Sequence, residues 1–391
     1  MTSTQIVKLR GRARMSPGSV AAVAAVVALV VVTLRLSTFD WNPTGFVWAS
    51  DLVVERDEAP PSLLVRSEIS GFDGTGFYRF ALDPFTRERT EYGILLDHPA
   101  FRHQRVLYPL LVWAVTGGDA VRVGWTLIAV NIAGLIAIAW LGARIVADQG
   151  GRAAWGWIFA ANPAVALSLG LDTAEIVAAA LLLAAILALR RRRFPSATAA
   201  LTLAMLARET TLVLAAGGGL AWLAARARRR EPLVPLWVFA TPAVAYGIWE
   251  VVLRWWWGHW ALASGAGLDI ALPFTGIARG AAEWFPLEEA LDGLHVVLLV
   301  TIVLFVATAG RSLVRGAGLP HERVALGLAI VLVALTSDAI WFHHWGFLRA
   351  TSELYMLGAL VILSDARAPA YRLGVAPAIW LALWINMLLF P

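Results

Sequence analysis

A polar segment near residue 73 contains a carboxylate that could act as a general base. The segment reads GFDGTGFYRFALDPF over residues 71–85. Glycines close to Asp73 suit a turn that presents its carboxylate. Such a group, held beside apolar side chains, could accept a proton from a hydroxyl. Tyr78 and Asp83 follow in the same segment and could support a substrate. The alternative is that Asp73 forms an Asx turn that only begins a helix.

A basic and aromatic segment follows it along the chain. This segment reads RHQRVLYPLL over residues 102–111. Its two arginines could bind a phosphate group at the start of a helix. We select Arg105 as the phosphate-binding candidate. His103 and Tyr108 would support that contact. The alternative is that these side chains anchor the helix at the lipid boundary.

Two pairs of charged residues lie inside apolar stretches. Asp172 and Glu175 are three residues apart, so both can share one helical face and could hold sugar hydroxyls or orient an arginine. The alternative for Asp172 is that it caps a helix. Arg208 and Glu209 lie in the middle of an apolar stretch. A charged pair there tends to face a protein-lined cavity, where Arg208 could bind phosphate with Glu209 beside it.

The last cluster of this kind is WFHHWGFLR at residues 341–349. Arg349 could bind phosphate and His344 could support it, with aromatic rings lining a sugar or lipid groove. The alternative is an interfacial aromatic belt with an arginine that reaches the head groups. The adjacent histidines point in different directions, the E-x-D at residues 55–57 lies in an acidic loop stretch, and cysteine is absent. We therefore expect neither a metal ion nor a cofactor.

The composition defines the kind of protein that must position these residues. Of the 391 residues, 59% are hydrophobic and 15% are charged, and the mean hydropathy is +0.70. Soluble domains carry about 45–50% apolar and about 25% charged residues. Apolar blocks of about 17–22 residues, the length that spans a bilayer, recur along the chain. The sequence therefore predicts an all-α, polytopic membrane protein and excludes a soluble enzyme, a fibrous protein and a disordered chain.

The arginine clusters between the apolar blocks predict the topology. The net charge of +5 is spread in the positive-inside pattern of a membrane protein, which argues against a nucleic-acid partner. If all clusters are cytoplasmic, the spans between them occur in pairs. That parity predicts about eleven membrane helices in a single domain, 1–391, with a cytoplasmic N-terminus. It predicts a large extracytoplasmic loop at residues 37–104.

Parity also assigns the doubtful segments. Residues 106–116 would lie at the outer interface, and residues 194–225 would form two short helices that meet near Arg208. The predicted spans cover residues 20–36, 120–141, 154–171, 173–189, 194–225 as the pair, 233–253, 294–309, 324–341, 352–363 and 374–389.

The motifs, taken in order, resemble the GT-C superfamily of integral membrane glycosyltransferases. The segments FDGTGFYRFALDPF and RHQRVLYPLL follow the first span, as an acidic D-G-x-x-Y-like loop and a Y-P-L-L helix do in bacterial members similar to the phosphatidylinositol-glycan mannosyltransferases and cell-surface polymer enzymes. The tyrosine falls one residue later here. Asn162-Pro163 and the R-E-T beginning at Arg208 match further family elements.

The resemblance implies a reaction. A hexose such as mannose would pass, with inversion, from a polyprenyl phosphate to the hydroxyl of a lipid, glycan or protein acceptor at the extracytoplasmic face of a bacterial cytoplasmic membrane. Asp73 corresponds to the family's loop acid and would be the base, with Arg105, Arg208 and Arg349 as candidates for the donor phosphate. The chain lacks a glycine-rich phosphate loop, which agrees with a lipid-linked donor.

Two other functions stay open at the level of sequence. A transporter or flippase of a lipid-linked saccharide would also carry buried charges such as Arg208 and Glu209. It has little need of a large acidic and aromatic loop, however, and should survive loss of the Asp73 carboxylate. A non-catalytic partner in glycopolymer assembly would retain the fold without the activity.

Overall fold

The protein is almost entirely helical. The computed structural model describes residues 15–67, 69–264, 270–285, 287–367, 380, 383–385 and 387–388. In this part of the chain the α-helices, labelled α1 to α18 in chain order, are Pro17–Ser37, Asp73–Leu82, Pro99–His103, Leu107–Thr116, Ala120–Asp148, Trp157–Ala160, Pro163–Leu171, Glu175–Arg190, Phe194–Ala207, Leu212–Ala227, Trp237–Trp257, Ala261–Ser264, Thr275–Glu283, Ala290–Val314, Pro320–Ala334, Asp338–Trp341, His344–Ala350 and Ser352–Leu363. Three 3₁₀ helices accompany them at Pro43–Phe46, Ala153–Gly156 and Glu209–Thr211.

The long helices begin where a polar side chain caps an apolar run. At the start of α1, the Ser16 hydroxyl accepts a hydrogen bond from the Ser19 backbone N–H at 3.1 Å, and Pro17 occupies a first-turn position where no N–H is needed. At the start of α5, Asp119 accepts from the Val121 N–H at 3.0 Å. Both helices are apolar around much of their circumference, as expected for segments that contact lipid and neighbouring helices.

The predicted all-α membrane architecture is confirmed at the level of length and composition. Four helical segments of the described chain are long and apolar enough to cross a membrane, at Pro17–Ser37, Ala120–Asp148, Glu209–Ala227 and Leu291–Val314. Two bent pairs, α6 with α7 and α17 with α18, raise the number to six if each is one span. The count of eleven spans stays a prediction, and the predicted span at residues 374–389 lies largely outside the described residues.

In the described part of the chain, arginines of several clusters lie at one end of the helical bundle, here called the arginine end. Arg190, at the end of α8, pairs with Glu322 on α15 through two contacts of 2.7 and 2.8 Å. Arg191 pairs with Asp148, the last residue of α5, at 2.7 Å. The other end of α8, at Glu175, lies at the opposite side of the bundle with the segment that contains α2. The assignment of the arginine clusters to the cytoplasmic face stays a prediction, and the N-terminal cluster at residues 8–14 lies outside the described residues.

The connection between α1 and α4 is a folded layer, here called the loop layer. It contains α2, a parallel pair of strands, β1 (Ala49–Ser50) and β2 (Val65–Arg66), and an antiparallel pair, β3 (Thr90–Glu91) and β4 (Ile94–Leu95). Helix α2 packs against α4 and α5. The end of the bundle that carries this layer is here called the loop end.

The short elements agree with the predicted breaks, with shifts of a few residues. Helix α4 ends at Gly117, which adopts the left-handed conformation with φ of 62°, and its ten residues reach only about 15 Å, too short to cross a bilayer. Helix α9 ends at Ala207 and α10 begins at Leu212, so the apolar stretch is broken at Arg208 as predicted. The predicted span 324–341 is itself broken between α15 and α16.

Candidate functional site

Eight charged side chains from distant parts of the chain meet at the loop end and form what is here called the Asp73 cluster. Its members come from the loop layer, the start of α8, the break between α9 and α10, and the bend between α17 and α18. They are Asp73, Arg102, Arg105, Glu175, Arg208, Glu209, Arg349 and Glu353.

The backbone around Asp73 is fixed by a close approach that only glycine permits. Asp73 is the first residue of α2. A Cβ atom on the next residue, Gly74, would lie 2.5 Å from the Val47 carbonyl oxygen and 2.7 Å from that of Leu171. The start of α2 is therefore pressed against the end of α7, which places the Asp73 carboxylate beside the membrane helices.

Three arginines hold the Asp73 carboxylate. Arg102 contacts Oδ1. Arg105 and Arg349 donate to Oδ2 at 3.3 and 2.7 Å. The Asp73 side chain remains 17% exposed, so the carboxylate is reachable. The carboxylate therefore contacts three guanidinium groups at once, and charge-assisted contacts of this kind are the strong ones.

Two glutamates of the cluster bond the same arginines through nitrogen atoms that do not contact Asp73. Glu209 receives two parallel hydrogen bonds from Arg105, at 2.9 and 2.6 Å, which is the forked geometry that orients a guanidinium most firmly. Glu175 receives the Nε–H of Arg349 at 2.5 Å. These carboxylates fix the orientation of the Arg105 and Arg349 guanidinium groups, each of which directs another N–H group toward Asp73.

Arg208 occupies the deepest position among the arginines of the cluster. It lies 3.3 Å from Glu175 and 3.8 Å from Glu353, and its Nη2 donates to the Arg349 carbonyl oxygen at 2.9 Å. Its Nε and Nη1 make no hydrogen bond of good geometry. A buried guanidinium with donors to spare is suited to a further acceptor, such as a phosphate oxygen.

The cluster is balanced in charge, with four arginines and four carboxylates. Its most exposed arginine, Arg102, has a lowered pKa. Burial lowers the pKa of Arg102 to about 10, and repulsion from Arg105 and Arg349 adds to the shift. Arg102 also bonds Asp97, at 2.9 Å. The pKa remains well above neutrality, so Arg102 is a cation. An anion that bound beside it would offset its repulsion by Arg105 and Arg349.

The structure brings together most of the charged residues that the sequence analysis selected. Asp73, all three phosphate candidates and both supporting glutamates lie in the cluster. Arg102 and Glu353 belong to it as well, although the sequence did not single them out as site residues. Arg102 lies in the RHQR segment, which is a usable signal, whereas nothing in the local sequence marks Glu353.

The two tyrosines lie outside the cluster and hold helices together. The Tyr108 hydroxyl donates to the Leu127 carbonyl oxygen at 3.1 Å and accepts from Asn131 at 2.9 Å. The Tyr78 hydroxyl donates to the Ala120 carbonyl oxygen at 3.4 Å. Both tyrosine side chains are fully buried, so each satisfies a backbone acceptor of α5 rather than reaching toward Asp73.

His103 is likewise a buried packing residue. Its ring stacks on Phe80 at 4.2 Å between centroids, its Nδ1 accepts from the Trp257 indole at 3.1 Å, and its Nε2 lies 2.9 Å from the Pro84 carbonyl oxygen. These partners assign the proton to Nε2. Burial lowers the pKa of His103 to about 4, so the ring is neutral and offers no charge to a phosphate. Asp83 accepts from the Phe85 N–H at 2.9 Å and stabilises its own turn.

Asp172 and His344 form no ion pair or hydrogen bond with the Asp73 cluster among the described residues. Asp172 ends α7 in the left-handed conformation, with φ of 46°, and is fully buried. His344 lies 3.1 Å from His295, nitrogen to nitrogen, in a buried pair. Its neighbour Trp345 packs edge-on against the Phe72 ring at 5.3 Å, so this segment contacts the site through its aromatic rings.

Comparison with known proteins adds no relative. No known protein family matches the sequence, and neither curated proteins nor solved structures give a match. Within the described part of the chain, no three His, Asp or Glu side chains converge as a metal site would require. The Asp73 cluster and the order of the sequence motifs are therefore the features of this chain that indicate a function.

Proposed function

We propose that this protein is an integral membrane glycosyltransferase of the GT-C type. It would transfer a hexose from a polyprenyl-phosphate donor to an acceptor hydroxyl at the loop end. One observation carries the proposal: a partly exposed carboxylate, Asp73, lies among three arginines at the end of an apolar helical bundle. That arrangement brings a proton acceptor and anion-binding groups within one side-chain length of each other.

The arginines suit the leaving group of such a donor. Arg105 and Arg349 each have one edge held by a glutamate and direct the other toward Asp73. A donor phosphate that entered here would compete with Asp73 for those edges, and two or three guanidinium groups would stabilise the charge that develops on the phosphate as the sugar leaves.

Donor binding would also activate the base. Each arginine that turns from Asp73 to the phosphate removes a positive charge that depresses the basicity of the carboxylate. Asp73 would then accept the proton of the acceptor hydroxyl while the hydroxyl oxygen bonds the anomeric carbon. The bond from that carbon to the phosphate oxygen breaks, and its electron pair leaves with the polyprenyl phosphate. A single displacement of this kind inverts the anomeric configuration.

The orientation belongs to the same proposal: eleven spans, the arginine end in the cytoplasm of a bacterial cell and the loop layer outside. The chain contains no cysteine, so single reporter cysteines have no background. A cysteine in place of exposed Glu88 should react with an impermeant maleimide in intact cells. A cysteine in place of exposed Arg229 should react only after permeabilisation. The reverse pattern would refute the orientation.

The test of function is sugar transfer by membranes supplied with radiolabelled polyprenyl-phosphate hexoses. A general base contributes about 10²–10⁴-fold to a rate, so Asp73→Asn should lower transfer by that factor at equal expression. Asp57→Asn, which removes an exposed loop carboxylate, is the matched control and should transfer at the wild-type rate. Equal transfer by wild type and Asp73→Asn would exclude Asp73 as the base.

The experiment also separates the two alternatives. A transporter of a lipid-linked saccharide would show no transfer, yet would move the labelled lipid across the membrane with or without the Asp73 carboxylate. A non-catalytic assembly partner would show neither activity. Either result would overturn the proposal of a glycosyltransferase.

A further inference from the structure

A cavity lies at the arginine end, away from the Asp73 cluster. Its volume is about 640 Å³, within the range of small-molecule sites. Its lining comes from α10, the linker that follows α10, the start of α11, the end of α14 and the first turn of α15. We refer to it as the arginine-end cavity.

The lining of the cavity is partly apolar and partly basic, and we call these two sets of residues its apolar wall and its basic wall. Its apolar lining comes from Trp222, Leu233, Val234, Phe239 and Leu313. Its charged lining consists of Arg228, Arg230, Arg323 and a single carboxylate, Glu231. Among the described residues, none of these three arginines has an ion-pair partner, whereas Arg190 and Arg191 nearby are both paired.

A buried histidine also belongs to the cavity lining. His321 lines the cavity and is only 3% exposed. Its Nε2 has no hydrogen-bond partner. An unpaired buried nitrogen costs free energy unless something bonds it, so a small shift of this side chain toward a bound phosphate would remove that cost.

Close helix packing shapes the closed end of the cavity. A Cβ atom on Gly217 would lie 2.5 Å from the Ala325 backbone nitrogen, and one on Gly218 would lie 2.3 Å from the Phe239 ring. These glycines let α10 approach α15 and α11 more closely than any other residue would. Gly219, the third glycine of this run, has open space beside it.

We propose that the arginine-end cavity binds the head group of an anionic phospholipid from the adjacent leaflet. The basic wall would hold the phosphate, His321 would complete its contacts, and the apolar wall would receive the first methylenes of the acyl chains. Basic pockets between membrane helices are typical sites for anionic head groups. An occupant must be both anionic and apolar to match both walls, which is why we favour a phospholipid over a soluble phosphate. The inference does not depend on the function of the Asp73 cluster.

The experiment titrates the purified full-length protein, in a neutral detergent, with short-chain phosphatidylglycerol and follows tryptophan fluorescence. Parallel titrations use short-chain phosphatidylcholine and inorganic phosphate. We expect saturable binding of phosphatidylglycerol alone. An arginine near a membrane surface contributes about fivefold to affinity for anionic lipid, so the triple variant Arg228→Gln/Arg230→Gln/Arg323→Gln should bind about a hundredfold more weakly.

The matched control is Arg229→Gln. Arg229 lies between two lining arginines but does not line the cavity, so this variant should bind as wild type does. The variant with lysine at all three arginine positions of the basic wall keeps the charges. It should retain most of the binding if positive charge is what attracts the lipid. Equal binding of phosphatidylcholine, competition by inorganic phosphate at the same concentration, or equal losses in Arg229→Gln and the triple glutamine variant would each overturn the proposal.

Discussion

Removal of one buried charge tests whether the Asp73 cluster is a single electrostatic unit. The variant is Glu175→Gln, which keeps the size of the side chain and removes its charge. Glu175 is 1% exposed, receives Arg349 at 2.5 Å and lies 3.3 Å from Arg208. At 3.3 Å and an effective dielectric constant of about 20, one such pair is worth about 5 kcal/mol of Coulomb energy. Part of this energy is offset by desolvation, and breaking a buried pair typically costs about 3–5 kcal/mol.

We therefore expect Glu175→Gln to lower the free energy of unfolding by about 3–5 kcal/mol. The assay is denaturation in one detergent, followed by the fluorescence of the 19 tryptophans. Glu88→Gln, which removes an exposed carboxylate of the loop layer, is the control and should change stability by less than about 0.5 kcal/mol.

A double-mutant cycle then measures the coupling directly. Adding Arg349→Gln to Glu175→Gln restores the balance of charge in the cluster, so the double variant should be more stable than the sum of the two single losses allows. Coupled residues of this kind interact by about 0.5–3 kcal/mol. A single variant as stable as the Glu88 control, or additive losses in the cycle, would refute the treatment of these charges as one unit.

Two further predictions concern the loop layer. Because burial lowers the pKa of His103 to about 4, against about 6.5 when unfolded, the unfolded state takes up the proton first as pH falls. About 3 kcal/mol of stability should be lost between those two pH values. His103→Gln should lose less over that range, and parallel unfolding profiles would contradict this. Gly74→Ala should destabilise the protein by about 1–3 kcal/mol, since its Cβ would meet two backbone oxygens at 2.5 and 2.7 Å. At Gly76 the nearest atom is 3.7 Å away, so Gly76→Ala should melt as wild type does.

The class of protein and several breaks in its helices could be predicted from the sequence, because both depend on local properties. Hydrophobic blocks long enough to cross a bilayer identify a membrane protein whatever their partners are. A charged Arg208-Glu209 pair cannot continue an apolar helix through lipid without cost, and the chain does break there. Asp73 was selected for a similar local reason, since the neighbouring glycines indicated a turn.

Which charges meet was decided only by the tertiary structure. Arg349 and Asp73 are 276 residues apart, and nothing in either segment specifies the other. The roles of His103 and Tyr108 also depend on the tertiary structure. Both were candidates by residue type, but both are buried and bond backbone carbonyl or indole groups. In lipid, one apolar helix is chemically much like the next. Partners are selected by close packing of small residues and by pairing of the few buried polar groups, and both depend on helices that are distant in sequence.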